Sequence, residues 1–301
     1  MELCLAVDIG GTKMAAGLVS SDGRAILQDR VPTPRSEDPE ELFRALASVV
    51  AGVLGRAQGA VPRGGGSVVV CGVGCGGPMD RDEGTVSPLN IPAWRGFPLD
   101  ARVRELTGLA VSVDNDAKAL ALAEGWVGAA RGKDDFIGMV VSTGVGGGLV
   151  LGGRLLEGAT GNAGHVGHVI VEPEGRACRC GGRGCLEAEA SGIAIAAITG
   201  RPPARAPAHV VSRSGTMVGR AVASVSNLLD LDLAVVAGSV ALGFGAPFFE
   251  AANEELRRRA RLSFSKRCRI VPADLGALAP LVGAGAVGWR ALGRHLVGSA
   301  A

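Results

Sequence analysis

The stretch 161–191, GNAGHVGHVIVEPEGRACRCGGRGCLEAEAS, constrains this chain more than any other. It gathers His165, His168, Cys178, Cys180 and Cys185 with two carboxylates close behind. Three thiolates and a neutral imidazole supply the N/S ligands of a tetrahedral structural zinc site. His168, Cys178, Cys180 and Cys185 are the candidate ligands. The other reading is a set of unligated or disulfide-bonded thiols. One intervening residue makes a Cys178–Cys180 bridge awkward. Gly181, Gly182 and Gly184 suit a chain folding tightly around an ion, because glycine accepts positive φ. The stretch is therefore read as a metal loop.

A chain of 301 residues with 47% hydrophobic side chains can build two domains with real cores. Its net charge of +2 and lack of a basic cluster give no footprint for nucleic acid or an anionic membrane surface. No leader-like segment and no apolar run of membrane-spanning length is visible, so a cytoplasmic protein is expected. In that compartment the other cysteines, Cys4, Cys71, Cys75 and Cys268, read as buried thiols.

Residues 3–7 form a continuous apolar run read as a buried strand, and Asp8-Ile9-Gly10-Gly11-Thr12-Lys13 comes next before residues 14–19 return as a second strand. Such a turn gathers N–H groups and a hydroxyl about one point, which suits a phosphate, although Gly-Gly turns also make ordinary hairpins. A carboxylate at the strand end, Asp8, can hold magnesium through water. The plan recurs as a strand over 136–141, the tract Ser142-Thr143-Gly144-Val145-Gly146-Gly147-Gly148, and a return from Leu149. A bulged hairpin is the alternative there. The repetition favours a duplicated fold with a nucleotide between its halves.

Residues 110–113 read as a strand delivering Asp114-Asn115-Asp116 to a helix over 117–128. Those side chains are either catalytic groups or helix caps. Asp38 caps a helix that starts at Pro39 and is expected to end near Leu54. A glycine-rich, basic loop over 59–66 and a strand over 67–71 come after it. Gly72, Gly74 and Gly77 formally match the dinucleotide fingerprint, yet residues 78–84 are turn chemistry where that fingerprint must open a helix. Trp94 reads as a core aromatic. Residues 200–208, GRPPARAPA, are a connector without helical periodicity. Residues 234–239 read as a buried strand, and a last helix over 281–296 carries Gly283 and Gly285 for close packing.

His-Val-Gly-His followed by Cys-Arg-Cys-Gly-Gly-Arg-Gly-Cys-Leu-Glu resembles the signature of the ROK (repressor, open reading frame, kinase) family, and the pattern extends from Asp8 to the last helix. The resemblance implies an α/β, two-domain actin-like ATPase (ribonuclease H-like) fold with a cleft between the domains. A smaller domain would span 1–116 plus 283–301, and a larger one, 117–282, would carry the zinc loop. It implies an ATP-dependent kinase acting on the 6-hydroxyl of a hexose or N-acetylhexosamine, with ATP, Mg²⁺ and structural Zn²⁺ as cofactors. Asp116 is then the base. Gly77, Asn90, Asn115, His165, His168 and Glu187 would hold the sugar. Asp8 would position Mg²⁺, Gly10, Gly11, Thr12, Lys13, Thr143, Gly144 and Gly146 would cradle phosphates, and Gly238 and Ser239 would form the adenosine turn.

His165 departs from the family, which commonly has glutamate there. The variation is associated with bacterial N-acetylmannosamine kinases, and related kinases with it also act on glucose. An imidazole donates or accepts where a carboxylate only accepts, so the sugar preference should shift. The stretch between Ser191 and Ser239 is shorter than the family's usual helical insertion, which bears on the homodimer the resemblance implies. The alternative functions are a sugar-responsive transcription regulator and a sugar-binding protein without catalysis. A regulator would carry a helix-turn-helix ahead of Asp8, where no room is expected for one.

Overall fold

The computed structural model describes residues 1–60 and 66–298, so residues 61–65 of the expected loop 59–66, and residues 299–301, lie outside the described residues. The chain divides into two compact units, the first comprising Met1–Val127, Glu157–Ala163 and Ala277–Leu296.

In the first unit β1 (Glu2–Ile9), β2 (Lys13–Ser20), β3 (Ala25–Pro32), β4 (Ser67–Cys75) and β7 (Val111–Asn115) form one sheet in the order β3-β2-β1-β4-β7, with a small hairpin of β5 (Met79–Asp80) and β6 (Thr85–Val86) apart from it. β1 to β3 run antiparallel, whereas β4 and β7 lie parallel to β1. The continuous apolar run of β1 is explained by cover on both faces. Leu3, Leu5, Val7 and Ile9 share a core with Leu42, Leu46 and Val50 of α1 (Pro39–Ala60), while Cys4 and Ala6 join Leu281, Ala284 and Trp289 of the last helix, Ala279–Ala291. Trp94 is fully buried and stacks on Phe97 at 4.5 Å. Helices α2 (Leu99–Thr107) and α3 (Asp116–Val127) complete this unit.

Several boundaries differ from expectation for local reasons. Asp38 Oδ1 accepts from the Glu40 N–H at 2.9 Å, as an N-cap should. The helix it starts continues past Leu54 to Ala60, because Gly55 meets no neighbour and Arg56 and Ala57 are good helix formers. β4 runs on past Cys71, so Gly72 and Gly74 are strand residues beneath a helix. A Cβ on Gly72 would overlap the Ala284 carbonyl, and one on Gly283 would lie 2.7 Å from the Ala119 oxygen. The last helix thus beds backbone against backbone on β4 and α3. It stops at Ala291 rather than Leu296, where Gly293 takes a φ of 80°. This packing puts α3 in the first unit, beyond the limit expected at 116. Glu157–Ala163 joins it through Asn162, whose amide donates to the Met79 carbonyl at 3.0 Å and whose Oδ1 accepts from the Met79 N–H at 3.2 Å.

The second unit holds Gly128–Leu156, Gly164–Gly276 and residues 297–298. β8 (Phe136–Val141), β9 (Val145–Leu151), β10 (Arg154–Leu155), β11 (Leu233–Ala237) and β12 (Arg269–Pro272) are ordered β10-β9-β8-β11-β12. Once more an antiparallel meander lies beside two parallel strands, which repeats the plan of the first sheet. β9 begins at Val145 rather than Leu149, so Gly146, Gly147 and Gly148 pair with Val140, Met139 and Gly138 instead of forming a turn. Their smallness serves packing: a Cβ on Gly147 would come within 2.8 Å of the Val166 side chain. Helices α4 (Leu186–Ala190), α5 (Gly192–Thr199), α6 (Ala208–Leu229), α7 (Ser239–Phe244) and α8 (Ala246–Arg259) complete the unit, and the connector carries only one 3-10 turn, Pro203–Arg205. Cys4, Cys71, Cys75 and Cys268 are buried free thiols. Among the described residues, no helix is long and apolar enough to cross a membrane.

Replacing Gly72 by Ala should destabilise the protein by about 3 kcal/mol, since backbone atoms cannot give way as a side chain can. The exposed Gly55→Ala should instead stabilise it by about 0.5–1 kcal/mol. Equilibrium urea unfolding distinguishes the two.

Candidate functional site

The first unit gathers its candidate residues at one end of the sheet. Asp8 in β1 pairs with Gly74 in β4, and Gly74 with Asp114 in β7, so Asp116 emerges just beyond the same row. Gly74 lies between the two acids. A Cβ there would lie 3.9 Å from both Asp8 Oδ1 and the Asp116 Cα. Beside them the turn Gly10–Thr12 closes with the Gly10 N–H donating to the Lys13 carbonyl at 3.0 Å. Thr33 fixes it from the next strand end, its hydroxyl donating to the Gly10 carbonyl at 2.7 Å and its N–H to the Thr12 carbonyl at 3.1 Å. Asn90 lies against this turn: Cβ atoms on Gly11 and Gly76 would approach its backbone oxygen to 2.9 Å and its Oδ1 to 3.2 Å. Gly77 is adjacent to Gly76 and accepts from the Leu89 N–H at 3.3 Å.

The electrostatics of this end are those of crowded carboxylates. Burial, then the negative charge of Asp116, push the Asp8 carboxyl from 3.8 up to about 7, against a smaller pull from Lys13. Asn115 proves to be a helix cap as well as a site candidate, its Oδ1 accepting from the Ala117 N–H at 3.0 Å. Asp114, beside it in sequence, is tied up otherwise. Arg81 reaches it at 2.9 Å, Lys118 at 3.4 Å and Arg290 at 3.6 Å. The same three cations grip Glu157, Lys118 at 2.5 Å and Arg81 at 2.7 Å, with Arg290 in contact too. Burial alone would raise the Glu157 carboxyl, but Lys118 and Arg290 outweigh it and hold it below the usual range. Lys118, only 1% exposed, needs all of these partners together with the Gly161 carbonyl at 2.9 Å.

In the second unit the candidate ligand atoms of His168, Cys178, Cys180 and Cys185 all lie within 4.8 Å of one another. Cys178 Sγ is 3.7 Å from His168 Nδ1, and Cys180 Sγ is 3.7 Å from Cys185 Sγ. Bonds of 2.0–2.3 Å to a tetrahedral zinc require donor separations of roughly 3.4–3.8 Å, which these two pairs match, and the donor types are those zinc takes. No disulfide joins these thiols. The Gly182 amide lowers the Cys180 thiol, whereas burial raises that of Cys178 and carries Cys185 to about 12. Glu189, fully buried, braces the loop by accepting from the Arg176 N–H at 2.6 Å and from Arg213 at 2.5 Å.

The imidazoles of His165 and His168 face each other at 6.3 Å and 17° across the 3-10 turn Val166–His168. Glu187 Oε2 accepts from the Val145 N–H at 2.9 Å, beside the turn that holds Thr143 and Gly144. Ser239 Oγ lies 3.0 Å from Ser142 Oγ, which draws Gly238 and Ser239 to that turn as well. Gly146 stands apart from it in β9.

A model of one protein family, the ROK family, matches residues 4–289. The chain belongs to the ROK family. An N-acetylmannosamine kinase of Escherichia fergusonii is 38% identical over 258 residues, covering 80% of this chain and 84% of its own. Among solved structures, a ROK hexokinase from Thermus thermophilus is 35% identical with a TM-score of 0.82, over 97% of this chain and 100% of its own. A ROK family glucokinase from Streptomyces griseus, in complex with glucose and AMPPNP, is 31% identical with a TM-score of 0.81, over 96% and 99%. The fold is the two-domain actin-like ATPase fold of ROK sugar kinases.

Sequence reasoning missed Thr33 and the five-residue ion network, and it named Ser142 and Gly74 only as members of glycine-rich tracts. For Lys118 a signal existed, the four-residue spacing from Asp114 on the first turn of a helix. Asp8 also gives this ROK chain a pH dependence. Its folded pKa lies above its ordinary value, so its contribution to metal-free stability is complete below about pH 4 and is lost as pH rises toward 7. Asp8→Asn should therefore raise the melting temperature of metal-free protein more at pH 8 than at pH 4.

Proposed function

We propose that this ROK protein is an ATP-dependent sugar kinase that phosphorylates the 6-hydroxyl of a hexose or N-acetylhexosamine. The observation that carries the reading is the pair Asp8, at the end of β1, and Asp116, just past the end of β7, brought together on either side of Gly74 in β4. A sugar hydroxyl is a poor nucleophile until a base accepts its proton, and the rest of phosphoryl transfer is positioning and charge neutralisation. Asp116 takes the proton. The Asp8 carboxylate, disfavoured by burial and by the charge of Asp116, would be favoured by a cation beside it, which suits Mg²⁺ held directly or through water. When bound, that ion offsets phosphate charge.

The turn Gly10–Lys13 and the turn at Thr143 and Gly144 cradle phosphates, with Gly238 and Ser239 at the adenosine. Asn90, the amide nitrogen of Asn115, Gly77, His165 and Glu187 hold the sugar. His168 Nδ1 and the three thiolates would hold Zn²⁺, and the other ring nitrogen of His168, Nε2, would then carry the proton and be able to donate to a sugar hydroxyl. The glucose and AMPPNP in the Streptomyces griseus glucokinase support this reading, as does the N-acetylmannosamine kinase relative. His165 leaves both sugar classes in play.

An ADP-release assay across glucose, mannose, N-acetylglucosamine and N-acetylmannosamine should show turnover with at least one of them. Asp116→Ala should keep sugar affinity and lose at least 10²-fold in kcat; near-normal turnover would remove the role. Elemental analysis should find about one zinc per chain. Chelation should lower melting temperature and sugar affinity together.

A further inference from the structure

The segment after the zinc loop grips the second glycine turn at three points. Glu187 Oε2 accepts from the Val145 N–H at 2.9 Å, the Gly192 N–H donates to the Ser142 carbonyl at 2.7 Å, and the Ile193 N–H donates to the Thr143 carbonyl at 3.3 Å. Within the turn itself the Ser142 N–H closes on the Gly144 carbonyl at 2.9 Å. Two of the three outer grips are ordinary backbone bonds at the start of α5. The third is a charged side chain that reaches its target only because position 144 has no side chain, since a Cβ there would lie 2.7 Å from Glu187 Oε2.

Glu187 is in turn anchored to the metal loop. It lies two residues beyond Cys185, which caps α4 and bridges Ile170, and the Leu186 N–H donates to the Val169 carbonyl at 2.9 Å. His168 and Cys185 therefore flank a two-stranded clasp from whose end the Glu187 carboxylate projects to the turn.

We propose that Glu187 is a positioning residue for the phosphate-binding turn Ser142–Gly144, so that nucleotide affinity, and not only sugar affinity, depends on the zinc loop. The proposal rests on the kinase reading above. A hydrogen bond to an ionised acceptor is stronger and shorter than a neutral one and holds its donor in one orientation. By fixing the Val145 N–H, Glu187 fixes where the preceding peptide groups of Thr143 and Gly144 present themselves to a phosphate. This contact does not compete with a sugar hydroxyl, because a carboxylate has a second oxygen and spare lone pairs.

The test is calorimetric titration of ADP and AMPPNP, without sugar, into the zinc-loaded wild type, Glu187→Ala and Glu187→Gln. The Ala variant should bind about tenfold more weakly. The Gln variant keeps an acceptor for the Val145 N–H and should stay within about threefold of wild type. Nucleotide binding by the Ala variant equal to wild type, with only the sugar KM raised, would overturn the proposal, and so would equal losses in the Ala and Gln variants. Should Glu187→Ala fail to fold, Glu187→Asp serves, because it retains the charge but falls one methylene short of Val145. It should lose nucleotide affinity severalfold, and wild-type affinity would overturn the idea. A wild type that binds no nucleotide would sink the kinase reading itself, which separates the two failures.

Discussion

The candidate site of the first unit turns on the Asp8 carboxyl, held up to about 7 by its burial and then by the negative charge of Asp116. A buried acid beside a second, half-buried one is costly to ionise, and a protein that only had to be stable would do better without it. Bringing them together makes sense where a cation or an anionic ligand bound to a cation completes the site. The glycines beneath set the geometry: Gly72 and Gly283 let the last helix lie on β4 and α3 backbone to backbone, and those two elements flank the acids. Lys118, Arg81 and Arg290 then absorb Asp114 and Glu157, which separates the structural acid from the candidate base two residues later.

The second unit solves a different problem with the same sheet plan. Its sheet also opens on an antiparallel pair joined by a glycine turn, but between Val171 and Cys185 the chain runs through EPEGRACRCGGRG, which has almost no apolar side chains. Three thiols and an imidazole drawn within 4.8 Å can shape such a loop where hydrophobic burial cannot. Glu189 adds a second fastening through Arg176 and Arg213, and this one is independent of any metal. The candidate sugar residues His165, His168 and Glu187 all sit on or beside this fastened segment.

Much of this was legible because it is local. Apolar runs gave the central strands, Asp38-Pro39 gave the start of α1, and the spacing of Cys178, Cys180 and Cys185 pointed to the cluster that the fold draws together with His168, each from a handful of adjacent residues. What the sequence hid is long-range. The tract Gly146-Gly147-Gly148 reads as a turn, yet its glycines are strand residues thinned to admit Val166, a neighbour no local pattern names. Glu157 and Asn162 belong with Arg81 and Met79 across a gap in sequence that offers no periodicity to read.

Transfer of a phosphoryl group from ATP to a sugar hydroxyl changes the chemistry at phosphorus directly. Phosphorus NMR of the protein with ATP and each of the four candidate sugars tracks the phosphoryl group itself. With Mg²⁺ present, the γ-phosphate resonance should be replaced by a phosphate monoester coupled to the C6 protons of one of the sugars, and a divalent-free sample should stay unchanged. Release of inorganic phosphate alone, or no loss of γ-phosphate with any of the sugars, would contradict the account.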